Sequence, residues 1–296
     1  MKYLIAGSSG FLGTGLRAAL ADHGDEVTRL VRRQPVSAYE SQWDPYTRQV
    51  DQRFVDNADV VVAIAGAPIV RPWTSGRRRA IYDSRLAATR TLANAISRSE
   101  QPPAFLVQSG VAAYGTYRAD TVVDEDDPGE GTGFLRRVVL AVEDAAAEAT
   151  PAGARVCLLR TGAVLHKSGG ALKLMLPAFR LGIAGQVGDG RQYFPAISRR
   201  DWVGAVIHLA EDSEASGPFI LTAPEPPTNA EFTQAVARAL HRPARLRVPG
   251  VVFEKTAGEL AGELLGSMRA VPRRLIESGY EFQDRTIDEV VAAALA

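Results

Sequence analysis

The fold of this chain is decided by its first stretch, Lys2-Tyr3-Leu4-Ile5-Ala6-Gly7-Ser8-Ser9-Gly10-Phe11-Leu12-Gly13. The first five residues form a short apolar run that predicts a buried strand. Three glycines follow at three-residue spacing, and Leu16, Ala19 and Leu20 then recur at helical spacing. A strand, a glycine turn and a helix in this order are the local structure that a dinucleotide site requires.

The glycines permit a tight turn and a close approach of the backbone to a pyrophosphate, whose charge the N–H groups of the helix start attract. The spacing is G-x-x-G-x-x-G, whereas the commonest fingerprint is G-x-G-x-x-G. A purely structural glycine turn could have the same spacing. The predicted cofactor-binding residues of this turn are Gly7, Ser9, Gly10, Phe11, Leu12 and Gly13.

The second strand indicates which nucleotide the site prefers. Glu26–Val31 is predicted to be that strand, and Arg32-Arg33 follows it. An NAD-preferring site places a carboxylate there to hold the ribose 2′-hydroxyl. Two guanidiniums would instead pair with a 2′-phosphate, and a charge-assisted hydrogen bond contributes about 1.5–3 kcal/mol. We therefore predict NADP(H) as the cofactor, the alternative being a solvated arginine pair.

Composition limits the function classes. The 296 residues are 46% hydrophobic and 23% charged with a formal net charge of zero, so neither a nucleic-acid nor a membrane partner is expected. The single cysteine, Cys157, excludes a disulfide within the chain and is predicted to be a buried, inert thiol. The four histidines show no metal-ligand spacing, so no metal site is expected. Without a signal peptide or a long apolar run, we expect a cytoplasmic protein.

Further strands alternate with helices, which predicts parallel βαβ units with ligands beyond the carboxyl ends of the strands. The predicted strands are 59–66, 104–108 and 155–160, and the predicted helices are 81–96 and 134–149. Ala65-Gly66 then lies where small residues let a cofactor approach. Ser109 and Tyr114 follow a central strand, a position suited to chemistry.

Beyond Thr161 the glycine-rich sequence predicts few regular elements, even across the apolar segment Leu174–Arg180. This stretch could cover the cofactor and line a substrate cleft, or it could be an irregular packed loop. Helices are predicted over 201–210, from a cap at Thr228 or Asn229 to Leu240, and over most of 248–265 and 272–296; a strand is predicted over 218–221.

Several motifs together resemble an atypical branch of the extended short-chain dehydrogenase/reductases, the nucleoside-diphosphate-sugar epimerase-like family with a conserved carboxyl-terminal region of unknown function. They are 7–13, 65–69, Trp73, 84–85, 159–165, 176–182, 188–193 and 272–282. The resemblance implies a Rossmann-type doubly wound parallel sheet with a small, mostly helical C-terminal substrate domain. The expected boundaries are 1–165, joined again by about 195–225, and 166–296.

The resemblance also implies NADP as the cofactor and assigns residues to the site. Arg32, Arg33, Ile64, Ala65, Arg85 and Val164 would join the glycine turn and Gly66 around it. Ser109 matches the serine that hydrogen-bonds a substrate carbonyl in relatives, and Tyr114 matches the tyrosine of their Tyr-Gly pair. Both are our candidate catalytic residues, and the substrate is expected to be a small molecule. The oligomeric state stays open, with a homodimer as one option.

Active relatives use a tyrosine and, four residues later on a helix, a lysine that lowers the tyrosine pKa. This chain has no Tyr-x-x-x-Lys, and the two positions fall on Val139 and Glu143. Glu143 is either a substitute proton donor facing the cleft or a carboxylate on the helix surface.

Three functional hypotheses follow: an NADP-dependent oxidoreductase or epimerase with a non-standard proton donor, a catalytically silent NADP-binding sensor or assembly protein, and a structural relic without nucleotide. An enzyme would line its cleft with polar groups such as those of Arg191, Gln192 and Tyr193. A binding protein could fill the same space with Phe194 and Trp202.

Overall fold

A computed structural model describes residues 1–70, 73–115, 121–244, 246–248 and 266–296. The strands are β1 Lys2–Ala6, β2 Glu26–Val31, β3 Glu40–Asp44, β4 Gln49–Val50, β5 Val60–Ala63, β6 Ala104–Gly110, β7 Val122–Val123, β8 Val156–Thr161, β9 Ala163–Leu165, β10 Gly185–Val187, β11 Ala196–Ser198, β12 Gly217–Leu221, β13 Leu246–Val248 and β14 Arg269–Ala270. The helices are α1 Phe11–His23, α2 Gln52–Asp56, α3 Ser75–Ile96, α4 Phe134–Ala147, α5 Gly170–Arg180, α6 Arg199–Glu211, α7 Asn229–Ala239, α8 Arg273–Glu277 and α9 Ile287–Leu295.

Eight strands form one sheet in the order β12-β8-β6-β5-β1-β2-β3-β4. All neighbouring pairs in this sheet are parallel except β3 with β4. The chain builds outward from β1 towards β4, then returns to the other side of β1 and builds outward through β5 to β12. The direction of winding therefore reverses between β1 and β5, which is the point where such sheets bind ligands. This topology confirms the predicted Rossmann-type doubly wound fold.

Helices cover both faces of the sheet, which explains why β1 is apolar throughout rather than alternating. Tyr3 and Ile5 pack in one cluster with buried residues of α1 and α6. Leu4 and Ala6 pack in a second cluster with buried residues of α3 and α4. The glycine turn that follows β1 is thus anchored by a strand that is buried on both faces.

The region after β9 has an apolar cluster of its own, built largely from the helices α5, α7 and α9. Phe179 of α5 packs edge to face on Phe232 of α7, with ring centroids 6.4 Å apart. The short strand pairs β9–β11 and β10–β13 border this region. A helical C-terminal region therefore accompanies the sheet, as the resemblance predicted.

The stretch beyond Thr161 is more regular than predicted. Gly170–Arg180 forms helix α5 although Pro177 lies inside it. Its buried residues Leu172, Leu176 and Phe179 are spaced four and three apart and face the third apolar cluster. The flanking glycines concealed this periodicity.

Helix α3 begins at Ser75, six residues before the predicted start, because Thr74 caps it by accepting a hydrogen bond from the Arg77 N–H. The first turns are rich in arginine and carry no apolar period.

The helices predicted for the C-terminal tail are only partly present. Residues 278–286 are not helical, and 249–265 lies outside the described residues. Of the two residues predicted as the cap of α7, Thr228 is the N-cap and forms a capping box with Glu231, whereas Asn229 is the first helical residue.

The glycine turn generates a stability prediction. A β-carbon at Gly13 would lie 2.3 Å from the Gly7 carbonyl oxygen and 2.6 Å from the Ser8 Cα, and backbone atoms cannot yield cheaply. We expect Gly13→Ala to lower the free energy of unfolding by about 1–3 kcal/mol. Urea denaturation measures it. Gly76→Ala is the control, since no atom lies within 4 Å of that position and α3 should be unchanged or slightly more stable. Equal losses in both variants would contradict the proposed crowding.

Candidate functional site

The turn between β1 and α1 has no room for a side chain at its first glycine. Gly7 adopts a φ of +95°, and a β-carbon there would lie 2.7 Å from the Ala65 nitrogen. The Gly10 N–H donates to the Gly7 carbonyl oxygen over 3.0 Å, and Gly10 caps α1 without a side-chain hydrogen bond. The first turn of α1 contains no acidic residue. The N–H groups at the start of α1 therefore face the carboxyl edge of the sheet, and no carboxylate in the same turn competes with a ligand for them.

Beyond β5, a guanidinium forms the wall of this region. A β-carbon at Gly66 would lie 2.9 Å from the guanidinium carbon of Arg85. One terminal nitrogen of Arg85 donates to the Ala67 carbonyl oxygen over 2.9 Å and to that of Ile81 over 3.3 Å. Burial lowers the pKa of Arg85 to about 10. No carboxylate among the described residues pairs with it, so this partly desolvated cation is suited to an anionic ligand.

The first residue of α1 contacts the segment after β9. A β-carbon at Gly169 would lie 2.2 Å from a ring carbon of Phe11, and one at Gly170 would lie 2.9 Å from the Val164 carbonyl oxygen. The Arg199 guanidinium lies 5.9 Å from the centroid of the Phe11 ring. These contacts bring Phe11 and Val164, two predicted cofactor residues, to one loop at the edge of the sheet.

The arginines after β2 have different surroundings. The two terminal nitrogens of Arg33 each donate to an oxygen of Glu40 over 2.7 Å. Glu40 is buried and also pairs with Arg29, 2.6 Å away. The hydrogen bonds from Arg33, followed by that from the Val36 N–H, lower the pKa of Glu40 to about 2. Arg32 instead borders a cavity of about 640 Å³ beside Trp43 and other residues of the β3–β4 hairpin.

A buried ion pair lies at the carboxyl ends of β6 and β8. The hydroxyl of Ser109 donates to Oε1 of Glu143 over 2.5 Å. Arg160 approaches the same carboxylate with two nitrogens, Nε over 3.0 Å and a terminal nitrogen over 2.7 Å. Burial would lower the pKa of Arg160, but the hydrogen bonds to Glu143 outweigh it, so the pKa is raised. Glu143 is only 7% exposed, which corrects the interpretation of it as a surface carboxylate.

Tyr114 lies beside this pair, with its ring centroid 4.7 Å from the guanidinium carbon of Arg160. Its side chain is fully buried in an apolar cluster that includes Ile220 and Met268. Its hydroxyl has no hydrogen-bond partner within the described ranges. Burial raises the pKa of Tyr114 to about 12, against the opposing effect of Arg160.

The sequence matches the NAD dependent epimerase/dehydratase family over residues 3–221 and a domain of unknown function over residues 248–294. The chain belongs to the NAD dependent epimerase/dehydratase family. It is 39% identical over 292 residues to epimerase family protein Mb2239 of Mycobacterium bovis, covering 98% of this chain and 96% of that one. It is 35% identical over 287 residues to human epimerase family protein SDR39U1, covering 95% of each.

Solved structures agree with this assignment. The crystal structure of human SDR39U1 (isoform 2) with NADPH matches 99% of both chains with a TM-score of 0.89 and 32% identity. A nucleoside-diphosphate sugar epimerase from Corynebacterium glutamicum matches 99% of this chain and 58% of its own, with a TM-score of 0.81 and 31% identity. These comparisons confirm the predicted resemblance to an atypical extended short-chain dehydrogenase/reductase.

Within this family, the tyrosine and lysine positions of active relatives are filled differently here. Val139 is buried, with Cγ2 3.7 Å from where a β-carbon of Gly110 would lie. Glu143, one turn later on α4, binds Ser109 and Arg160. The structure thus brings Ser109 and Tyr114 together with Val139 and Glu143, the positions of the tyrosine and the lysine in active relatives. At the second position a carboxylate replaces the lysine cation.

Two of the residues proposed to line the substrate cleft contact neighbouring protein groups. The side-chain amide of Gln192 donates to the Val187 carbonyl oxygen over 2.9 Å, and the Tyr193 ring stacks under Arg269 at 5.2 Å. Trp202 is fully buried in the sheet core, and Phe194 packs on Phe232 with centroids 4.7 Å apart. Trp202 therefore belongs to the first apolar cluster and Phe194 packs against the third.

Sequence reasoning missed Glu40 and Arg160. Arg160 is the last residue of the predicted strand 155–160, and a charged residue at the end of an apolar strand was the available signal. Glu40 lies in a polar stretch and gave no signal.

In the described part of the chain, no cluster of three or more potential metal ligands occurs, and no helix is both long and apolar enough to cross a membrane. Burial raises the pKa of the Cys157 thiol to about 11.

The buried pair yields a prediction for stability. Glu143→Ala would leave the Arg160 charge buried without its partner, so we expect a loss of about 3–5 kcal/mol in the free energy of unfolding. Arg160→Met in the same chain should recover a large part of that loss. Urea denaturation of the two single variants and the double variant measures the coupling. Additive losses would show that the pair is not coupled.

A second prediction concerns pH. The folded-state pKa of Glu40 lies at about 2, below its usual 4.5, so its contribution to stability is present above about pH 4.5 and declines as the pH falls towards 2. Wild type should therefore exceed Glu40→Gln in free energy of unfolding at pH 6. The difference should narrow between pH 4.5 and pH 3. A difference that stays constant over this interval would contradict the assigned ion pairs.

Proposed function

We propose that the protein is an NADP(H)-binding oxidoreductase or epimerase-like enzyme of the atypical extended short-chain type that works without a Tyr-x-x-x-Lys pair. The observation that carries this proposal is the cradle at the carboxyl edge of the sheet. At Gly7, Gly13 and Gly66 a β-carbon would collide with backbone or with Arg85, so the backbone is left open to a ligand. The NADPH of the human relative, at 32% identity, supports the same choice of nucleotide.

The proposed roles follow the parts of the dinucleotide. The turn Gly7–Gly13 and the start of α1 bind the pyrophosphate through free N–H groups. Ile64, Ala65 and Val164 provide apolar contacts, and at least one arginine of the pair after β2 binds the 2′-phosphate. Arg85 lies beyond β5, whereas the residues that distinguish NADPH from NADH follow β2. Arg85 therefore holds an anionic or polar part that the two nucleotides share.

NADP(H) supplies hydride exchange at its nicotinamide ring when bound. The Ser109 hydroxyl donates its proton to Glu143, so Ser109 is proposed to orient a substrate hydroxyl by accepting a hydrogen bond from it. Tyr114 is the candidate proton-holding group, kept neutral by burial beside Arg160. A well-placed general acid contributes about 10²–10⁴-fold to a rate. Because the Tyr114 side chain is fully buried, the proposal favours substrates that need little proton transfer.

A catalytically silent NADP(H)-binding sensor or assembly protein is the second candidate. The Glu143–Arg160 pair favours it, because both oxygens of the carboxylate are occupied by protein donors. A site whose polar groups satisfy one another is arranged for stability rather than for contact with a substrate.

We further propose that residues 1–165 and about 195–225 form the nucleotide domain and that the rest of 166–296 forms the substrate region. Two observations support this division. Strand β12 pairs with β8 in the main sheet, and α5, α7 and α9 share a separate apolar cluster. The cytoplasmic location, the small-molecule substrate and the homodimer stay predictions.

Titration of the purified protein with NADPH and with NADH tests the binding proposal. We expect clear preference for NADPH. Arg85→Ala should weaken both nucleotides by a similar factor, about 10- to 100-fold for one lost charge-assisted contact. Arg90→Ala is the matched control on the same helix, because Arg90 is exposed and its partner is Glu148. If Arg85→Ala changed neither affinity, the role of Arg85 would be wrong.

The enzyme and the silent protein are separated by turnover. NADPH absorbance is followed with carbonyl compounds, and nucleotide sugars are analysed for epimers. An enzyme should show turnover that Ser109→Ala reduces without loss of NADPH binding. Tight NADPH binding with no product from any substrate class would favour the silent protein. Binding of neither nucleotide would contradict both candidates.

A further inference from the structure

We propose that Glu40 is a positioning residue that holds Arg33 back from the cofactor, so that Arg32 alone recognises the 2′-phosphate of NADP(H). This inference rests on the proposed function and divides the work within the arginine pair. The sequence treats the two arginines as equivalent, whereas their side chains have different surroundings in the structure.

Arg33 is committed to the protein. Its two terminal nitrogens bind both oxygens of Glu40 over 2.7 Å each, and one of them also donates to the Gln34 carbonyl oxygen over 2.8 Å. A bidentate guanidinium–carboxylate pair is geometrically specific and among the stronger hydrogen-bonded contacts. The Glu40 side chain has no exposed surface, so releasing Arg33 would leave a buried carboxylate with less compensation.

The strand register places this pair behind the ligand edge. Arg29 of β2 is level with Glu40, and Val31, the last residue of β2, is level with Gln42. At about 3.3 Å per residue, Glu40 lies about 7 Å back from the end of β2. Dinucleotides bind beyond the carboxyl ends of the strands. The head group of Arg33 is therefore folded back along the sheet.

Arg32 occupies the forward position. With Gln42, Trp43 and Asp44, it borders a cavity of about 640 Å³ at the carboxyl end of β3. Its side chain makes no hydrogen bond or ion pair with any residue that the structure describes. A guanidinium with all five donors available matches the geometry of a phosphate.

The test is calorimetric titration of the full-length chain with NADPH, NADH and 2′,5′-ADP, which carries the 2′-phosphate without nicotinamide. Arg32→Ala should weaken NADPH and 2′,5′-ADP about 10- to 100-fold and leave NADH within about threefold. Arg33→Ala should leave all three within about threefold. Arg32→Lys should restore part of the loss, as a point charge does for a phosphate.

Glu40→Gln frees Arg33 and removes a negative charge, so the ratio of NADPH to NADH affinity should rise about two- to tenfold. If Glu40 were merely structural, Glu40→Gln would lower the affinity for both nucleotides alike, and that result would overturn its positioning role.

Arg33→Lys is the second variant and keeps a charge beside Glu40. Loss of NADPH affinity in Arg33→Ala or Arg33→Lys equal to that in Arg32→Ala would overturn the division. A wild-type protein with no preference for NADPH would instead contradict the proposed function itself.

Discussion

The whole site depends on the close approach of two backbone segments, the turn after β1 and the end of β5. The Ile64 N–H donates to the Ala6 carbonyl oxygen over 3.0 Å, and a β-carbon at Gly7 would lie 2.7 Å from the Ala65 nitrogen. Because β1 is buried on both faces, neither segment can move apart without opening the core. The start of α1 is therefore fixed at the point where the winding of the sheet reverses, and a nucleotide there meets a rigid surface.

Local patterns were sufficient for the elements that make this surface. The apolar run of β1, the glycine spacing and the Thr228 cap are each encoded within a few neighbouring residues, and the structure confirms them. Helix α5 was missed because its flanking glycines and Pro177 outweighed an apolar period of only three residues. Helix α3 begins early because a threonine cap, and not apolar periodicity, determines its start. The prediction from sequence therefore fails where few residues carry the signal.

The electrostatic arrangement of the site could not be predicted in the same way, because it joins residues that are distant in sequence. Ser109 and Glu143 are 34 residues apart, and Glu143 and Arg160 are 17 apart. The sequence placed Glu143 at the lysine position of relatives but could not show which cation it would meet. The sequence also could not show that Arg32 and Arg33 have different surroundings, since Glu40 is positioned to bind Arg33 by the pairing of β3 with β2.

The exchange of charge at position 143 limits the chemistry that the site can perform. A lysine there would leave a positive charge next to the reacting oxygen, whereas Glu143 and Arg160 together are neutral. Arg160 directs two nitrogens at Glu143 and its face at Tyr114, so its charge is largely compensated within the protein. A developing oxyanion beyond Ser109 would thus gain little from this pair. Turnover by the proposed enzyme would therefore depend on how closely substrate and nicotinamide are positioned rather than on a charge at position 143.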